Sequence, residues 1–563
     1  MPSKFSSHSN SMSHSILKRR NFYVFLILIS LSIFMFVFSI KYQGINVHEI
    51  TKPSWFEFIV QDFHSKAKIK IGLVNINPRS MDEKLDAYRS RVDIVPIHFD
   101  HVDENLKWND FFPEWIDEEE KVHKPKCPNM PMPTLKNYKD IDVLVAKVPC
   151  GEQSMEEKGI RDVFRLQVNL VVANLAVEAK WLQKLESDHR NMYVVFVGTC
   201  APMIEIFRCD DLLMHQSDYW IYKPDLKRLK QKILMPVGSC QISPGYAESG
   251  KETWRSYLTQ SLGNNKSNDQ GPKLAYVTVL HSSEEYVCGA ITLAQSILLS
   301  RKSISKSIDL VLLADDSIGL ESTRGLKAAG WKITRIQRIR SPFANEKAYN
   351  RWNYSKLRIW QLTMYDKIIF IDSDLLVLKN IDSFFAYPQL SAAPNEDVIF
   401  NSGLTVVEPS QCMFEYMMNK TSKVKPYNGG DQGFVNEVFT WWHRLPSKIN
   451  YMKSFKIIGD NKHQIQKDVY TIHYLGLKPW MCYRDYDCNW DLQDHYVYAS
   501  DSANEVWWKV YDTMPKHLQS YCAMTKKSNE NFVWNRKLAK NASLSDEHWR
   551  IEVKDARKMK YLD

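Results

Sequence analysis

Between Leu274 and Ile371 short apolar runs alternate with amphipathic ones, and this alternation constrains the fold more than any other feature of the chain. Leu274–Leu280, Ile308–Leu313, Ile333–Ile336 and Lys367–Ile371 read as strands, each short, apolar and bounded by turn formers. Val287–Leu299 and Ser322–Ala329, lying between them, read as helices. Strands alternating with helices predict an α/β unit with a parallel, doubly wound sheet, whose ligands sit outside the carboxyl ends of the strands. The fourth strand runs directly into Asp372-Ser373-Asp374.

An earlier stretch repeats the pattern more loosely. Ile69–Ile76, Val92–Phe99, Ile141–Val148 and Tyr193–Val197 are strand-like, with a helical segment over Val168–Leu185, so residues 66–255 are expected to form a second α/β region. It contains no evident catalytic constellation. A polar, turn-rich linker over 256–272 separates it from a further domain at 273–520, and residues 521–563 read as a tail packed on that domain.

Ahead of both lies the uninterrupted apolar run Phe22–Ile40, long enough at helical rise to span a hydrocarbon core. Lys18, Arg19 and Arg20 precede it and only Lys41 follows closely, so the positive-inside bias places residues 1–20 in the cytosol, 21–41 in the membrane and the stem at 42–65 in a lumen. No small-x-small cleavage site follows Ile40, which favours an uncleaved type II anchor over a signal peptide. The shortness of the run suits a thin secretory-pathway membrane. All 10 cysteines then fall in an oxidising compartment, where disulfides persist, although spacing does not reveal their pairing. Asn265, Asn419 and Asn541 begin glycosylation sequons. A net charge of +9 spread along 563 residues gives no concentrated basic face, and nucleic acid is not expected as a partner.

D-x-D triplets occur at Asp140/Asp142, Asp372/Asp374 and Asp485/Asp487, and only the middle one directly follows a strand-like run. Two carboxylates at a strand end supply oxygen ligands for Mg²⁺ or Mn²⁺, although such acids also serve as caps. The segment His473-Tyr474-Leu475-Gly476-Leu477-Lys478-Pro479-Trp480 adds an imidazole, which tilts the choice to Mn²⁺, with Mg²⁺ the alternative. It also adds a glycine that admits close backbone approach and a lysine suited to phosphate. Together these groups are what a metal-bound diphosphate leaving group requires. Between the two clusters lie Lys356, on a helix expected to run from Asn353 to near Tyr365, then Phe400-Asn401-Ser402-Gly403, and then Asn428-Gly429-Gly430-Asp431-Gln432. The last two offer amides, a hydroxyl and a carboxylate to sugar hydroxyls, although Gly, Asn and Asp also build turns.

In this order the motifs resemble the glycogenin-like retaining glycosyltransferases of family 8, with a GT-A (Rossmann-like) fold, over about Leu274 to Trp490. Leu280, Ser282, Tyr286 and Gly289-Ala290 also match that pattern. Trp441–Leu445, His473–Asp491 and Trp507–Cys522 look more narrowly like the plant xylan glucuronosyltransferases, type II Golgi enzymes. The resemblance implies Asp372, Asp374 and His473 as Mn²⁺ ligands, and Leu280, Ser282 and Tyr286 around the uridine. It implies Lys478 and the Gly476 backbone on the diphosphate of a UDP-sugar, with Tyr474, Leu475 and Leu477 in the same segment. Asn401, Ser402, Gly403, Asp431 and Gln432 would face the sugar, and Lys356, Asp431 and Gln432 would serve catalysis. Ser373 stands where the family more often has Ala, and Asn428 where glycogenin has an acid.

The implied activity is transfer of α-glucuronic acid from UDP-glucuronate to xylan at a Golgi membrane, with a Golgi enzyme complex as a further partner. A transferase of the glycogenin or galactinol-synthase kind, using UDP-glucose or UDP-galactose, is the alternative within the class; a non-catalytic scaffold subunit is the alternative outside it. Arg358 is the candidate partner for the donor carboxylate by its place in the chain. Of the 17 tryptophans, Trp480, Trp490 and the Trp441-Trp442 pair are the candidates for acceptor contact.

Overall fold

The computed structural model describes residues 55–562 apart from 112–127, 151–160, 182–191, 235–271, 302–307, 453–464 and 489–500 and a few shorter stretches. The apolar run Phe22–Ile40, the stem before residue 55, the linker up to residue 271, Asn265, Cys127, Cys240 and Trp490 lie outside the described residues. Among the described residues no helix is long and apolar enough to cross a membrane. Residues 1–64 form a separate unit, of which a short helix over Trp55–Val60 and a turn over Gln61–Phe63 are described.

Within Ser65–Asp563 two sheets carry the architecture. The first comprises β1 (Ile69–Val74), β2 (Val92–Pro96), β3 (Val143–Lys147), β4 (Tyr193–Val197), β5 (Leu212–Gln216) and β6 (Tyr219–Tyr222) in the order β2-β1-β3-β4-β6-β5. β1 to β4 are mutually parallel, as the α/β reading expects, and the β5–β6 hairpin closes the edge antiparallel. Helices α1 (Val163–Trp181) and α2 (Leu226–Leu234) belong to this region.

The second sheet has the order β14-β12-β13-β10-β7-β8-β9. Its parallel half, β7 (Leu274–Leu280), β8 (Ile308–Ala314), β9 (Lys332–Arg335) and β10 (Lys367–Ile371), follows the predicted strands within a residue or two. Every residue of β7 is buried, as befits a central parallel strand covered on both faces. α3 (Val287–Ser300) and α4 (Leu320–Ala328) are the crossovers. The other half departs from the purely parallel expectation: β13 (Phe400–Val407) runs antiparallel to β10, β12 (Ser391–Pro394) antiparallel to β13, and β14 (His443–Arg444) parallel to β12. The fold is therefore mixed α/β. A small third sheet, β11-β16-β15, joins β11 (Leu375–Val377), β15 (Tyr451–Met452) and β16 (Thr471–His473). α5 (Gln411–Lys420), α6 (Asp431–Val438), α7 (Asp501–Thr513) and α8 (Lys526–Ala542) complete the helices used below.

The segment expected as an α-helix over 353–365 is instead a 3₁₀ helix over Tyr349–Gln361. Its buried anchors Tyr354, Leu357 and Trp360 recur every third residue, and the 3₁₀ turn, with three residues per repeat, stacks them in one row.

Four disulfides lie among the described residues: Cys150–Cys200, Cys209–Cys412, Cys288–Cys522 and Cys482–Cys488. Cys288–Cys522 ties the C-terminal segment to α3, and the buried Arg557 reinforces it by donating to the carbonyls of Trp480, Cys482 and Cys522. Cys209–Cys412 joins the first region to α5. Beside it Arg208 pairs with Glu408 at 2.6 Å, and Glu205 accepts from Thr440 N at 2.9 Å, Thr440 Oγ1 at 3.0 Å and Trp441 N at 3.3 Å. One apolar core runs through residues of both sheets. Removing this buried carboxylate leaves two amides and a hydroxyl orphaned. Glu205→Ala is expected to lower stability by about 3 kcal/mol in chemical denaturation, with Glu205→Gln recovering part of the loss.

Candidate active site

The site begins at the end of β10. Its buried residues carry the chain to Asp372, whose amide donates to Gly403 O of β13 at 2.8 Å. The turn through Ser373 rests on α3 at Gly289: a Cβ there would lie 2.4 Å from Ser373 O and 2.6 Å from the Trp480 ring. Only glycine lets the acidic turn approach the helix this closely. β11 starts directly after Asp374 and pairs antiparallel with β16, setting Leu375 opposite His473, while Tyr474 N donates to Asp374 O at 3.0 Å. Two segments far apart in sequence thus meet at one point.

There His473 Nε2 lies 3.3 Å from Asp374 Oδ1, Lys478 Nζ 2.7 Å from Asp374 Oδ2, and Lys356 Nζ 2.8 Å from Asp372 Oδ2 and 3.3 Å from Asp431 Oδ2. Burial pushes the Asp372 carboxyl up to about 6 against the pull of Lys356. Burial would also raise Asp374, but the Lys478 ammonium and His473 hold it well below the usual carboxylate range. Lys356 is raised: its desolvation is outweighed by Asp372 and Asp431.

Asp372, Asp374 and His473 each present a ligand atom within 4.8 Å of the others. His473 Nδ1 faces Asn450 Oδ1 at 3.2 Å, so Asn450 orients the ring with Nε2 toward Asp374. Asn450 in turn donates to Asn401 Oδ1 at 2.9 Å. Two carboxylates and one oriented imidazole are a donor set that fits Mn²⁺.

These groups line one cleft of about 880 Å³. At one end Leu280 closes β7, and Ser282 follows with a left-handed backbone, φ 68°, a conformation that costs a non-glycine residue energy and often marks a functional turn. Ser282 N donates to Asp315 Oδ2 at 3.3 Å, and Arg338 pairs with the same carboxylate at 2.9 Å. Tyr286 presents its ring nearby, with Lys478 5.9 Å from the centroid. Leu475 and Gly476 also line the cleft, and Gly476 has φ 65°, which accounts for glycine in this segment.

At the other end Asp431 opens α6. Its Oδ1 accepts from Asn353 Nδ2 at 3.1 Å and its Oδ2 from Ser402 Oγ at 3.0 Å. Gln432 is held on both sides, its Oε1 by Ser402 N at 3.2 Å and its Nε2 by Tyr427 OH at 2.6 Å. Asn401, Gly403 and Gly430 line the same end. Asn428 lines it as well, while its Oδ1 accepts from Gly430 N and Gly433 N, fixing the start of α6.

Some expected residues face elsewhere. Tyr474 is fully buried, its hydroxyl donating to Ala503 O; Leu477 packs beside Cys482 and Tyr483; Gly429 contributes a carbonyl to Ser341 Oγ behind the cleft. Arg358 stacks on Phe414 and bonds Gln361, outside the cleft. Its helix repeats every third residue, so Asn353 and Lys356 share the row facing the carboxylates and Arg358 does not. Trp441, Trp442 and Trp480 are core: Trp480 packs on α3 and Trp507 and donates to Glu285 O. Among the other triplets, Asp142 is structural, buried against Lys66 at 2.6 Å.

The sequence reading missed His281, Asp315, Asn353 and Asn450. His281 and Asp315 stand at the carboxyl ends of β7 and β8, a position that could have flagged them. Asn353 lies in the Lys356 segment, while nothing local marks Asn450. Burial, with Lys356 close by, lowers the His281 imidazole to about 4, so it is neutral near pH 7.

Residues 277–393 match the glycosyl transferase family 8 domain, and residues 45–240 match the GUX1-5 N-terminal domain. Arabidopsis thaliana UDP-glucuronate:xylan alpha-glucuronosyltransferase 4, a provisional assignment, is 47% identical over 96% of this chain and 98% of its own. Member 5 from the same plant, also provisional, is 50% identical over 91% of this chain and 89% of its own. Member 2 is 46% identical over 91% and 84%. The chain belongs to glycosyl transferase family 8, in its UDP-glucuronate:xylan alpha-glucuronosyltransferase branch. The site of this family 8 transferase spans both halves of its mixed sheet.

Replacing Asp374 by Asn removes a charge shared by His473 and Lys478. An ion held by Asp372, Asp374 and His473 would bind at least about tenfold more weakly to Asp374→Asn in calorimetric titration with Mn²⁺; binding unchanged by the substitution would place the metal elsewhere. His281 supplies a pH test. Its folded pKa lies below the unfolded value, so the unfolded chain binds more protons between about 6.5 and about 4, and stability falls as pH drops through that window. The thermal midpoint should therefore decline more steeply from pH 7 to pH 5 in the parent than in His281→Asn.

Proposed function

We propose that this transferase moves α-glucuronic acid from UDP-glucuronate onto xylan with retention at the anomeric carbon. The observation that carries the reading is the convergence of Asp372 and Asp374 with His473 and Lys478 in one cleft, opposite Asp431 and Gln432. The choice of donor and acceptor is supported by relatives that bear that activity in their names and align with nearly the whole chain.

Asp372, Asp374 and His473 would hold Mn²⁺, which when bound neutralises charge developing on a diphosphate leaving group. Lys478 brings a second positive charge to the same end, and the Gly476 backbone admits the phosphates closely. Tyr286 and Ser282 line the uridine end. Both oxygens of Asp431 already accept hydrogen bonds and Lys356 stands 3.3 Å away. This supports Asp431 as an oriented acceptor for sugar hydroxyls rather than a free nucleophile. The Gln432 amide, clamped by Ser402 and Tyr427, is a fixed dipole for positive charge at the anomeric carbon.

The same proposal places the protein in the Golgi membrane through Phe22–Ile40, with the catalytic domain lumenal. The disulfides among the described residues suit such an oxidising lumen.

The test is to incubate the purified full-length chain with Mn²⁺, a xylo-oligosaccharide and, in separate reactions, UDP-glucuronate, UDP-glucose and UDP-galactose, and to identify products by mass spectrometry. The expected product is the glucuronidated oligosaccharide. Transfer from UDP-glucose or UDP-galactose alone would replace the donor, and no transfer from any donor would favour the scaffold reading.

A further inference from the structure

We infer that Arg351 is the residue that meets the carboxylate of the donor sugar, and so selects a glucuronate over a neutral hexose. The inference deepens the proposed function and rests on its donor assignment. A carboxylate brought into a cleft needs a cation, because an unpaired charge leaving water is strongly disfavoured. Most cations around the cleft are already committed to acids: Lys356 to Asp372 and Asp431, Lys478 to Asp374, and Arg338 to Asp315. Of the remaining cleft cations, Lys347 is exposed, and among the described residues nothing fixes its ammonium in one place.

Arg351 differs from all of these. It is half-buried and lines the cleft, and among the described residues it has no carboxylate partner. Its Nη1 donates only to the Glu346 carbonyl at 3.1 Å, and its Nε is buried without a hydrogen-bond partner. The guanidinium is nevertheless held in place, 5.0 Å from the centroid of the Trp352 ring. A stacked, oriented guanidinium with unused donors is suited to bidentate recognition of a carboxylate.

Its location is that of the sugar rather than the uridine. Asn350 Nδ2 donates to Asn428 O at 2.8 Å and Asn353 Nδ2 to Asp431 Oδ1 at 3.1 Å, so the segment carrying Arg351 is fastened on both sides to Asn428–Asp431. Ser341 strengthens the link, its amide donating to Arg351 O and its hydroxyl to Gly429 O. Arg351 thereby stands beside the residues assigned to the sugar hydroxyls. Arg358, the candidate by sequence, is turned away.

The experiment measures the affinities of the full-length chain, with Mn²⁺ present, for UDP-glucuronate, UDP-glucose and UDP by calorimetry, in the parent and in Arg351→Gln and Arg351→Lys. In the parent, UDP-glucuronate is expected to bind more tightly than UDP-glucose. In Arg351→Gln its Kd should rise about ten- to hundredfold, the worth of a charge-assisted pair, and Arg351→Lys should fall between. UDP-glucose and UDP, lacking the carboxylate, should change by no more than about twofold. An unchanged UDP-glucuronate Kd in Arg351→Gln, or an equal loss for all three ligands, overturns the assignment. If Arg351→Gln does not fold, Arg351→Lys decides by the same comparison: a loss confined to UDP-glucuronate supports the role and an equal loss refutes it. A parent that does not prefer UDP-glucuronate to UDP-glucose refutes the donor assignment itself, and the role of Arg351 falls with it.

Discussion

The short antiparallel pairing of β11 with β16 is the interaction on which the site depends. It sets Leu375 against His473 and so delivers an imidazole and a lysine to the acidic end of β10. A strand pairing has a two-residue period, so a slip by one position would turn His473 away from Asp374. The register is secured from below by Gly289, which lets the turn at Ser373 settle onto α3, and from the side by the hydrogen bond from Asp372 N to Gly403 O. The paired charges then follow from geometry: Lys478 meets Asp374, Asp372 and Asp431 share Lys356, and His473 is oriented by Asn450.

Much of the parallel half was legible in the sequence because buried parallel strands are near-continuous apolar runs whose ends are marked by turn formers. β7, β8, β9 and β10 lie where periodicity put them, and the carboxyl-end rule correctly located the acidic pair. The antiparallel half was not legible as such: β12 and β14 are too short to carry a pattern, and β13, buried along nearly its whole length, shows none of the alternation that would mark an antiparallel strand. The third sheet was less visible still, because β11 and β16 acquire their meaning only from each other.

Side-chain direction was the other blind spot. Lys356 and Arg358 are near neighbours in one segment and carry the same charge, but the three-residue repeat anchored by Tyr354, Leu357 and Trp360 sends one into the cleft and the other onto Phe414. Tryptophan was misleading for a related reason. A large aromatic beside a functional motif reads as a sugar platform, whereas Trp441, Trp442 and Trp480 fill the layers that hold the motif in place. What local sequence cannot encode is which neighbour a side chain is packed against.

The contact of Glu205 with Thr440 and Trp441 bears on how the polypeptide is made. Ribosomes release chains from the amino end, so β1 to β6 emerge long before the segment that satisfies this carboxylate and covers the adjoining apolar core. During that interval the nascent first region carries an open hydrophobic face, the kind of surface that invites misassembly and attracts chaperones. Maturation is then a closing step: the later half must return to the earlier one before either is complete. Truncated or stalled chains that end before α6 would carry this exposed interface as well as lacking Asp431, Gln432, His473 and Lys478.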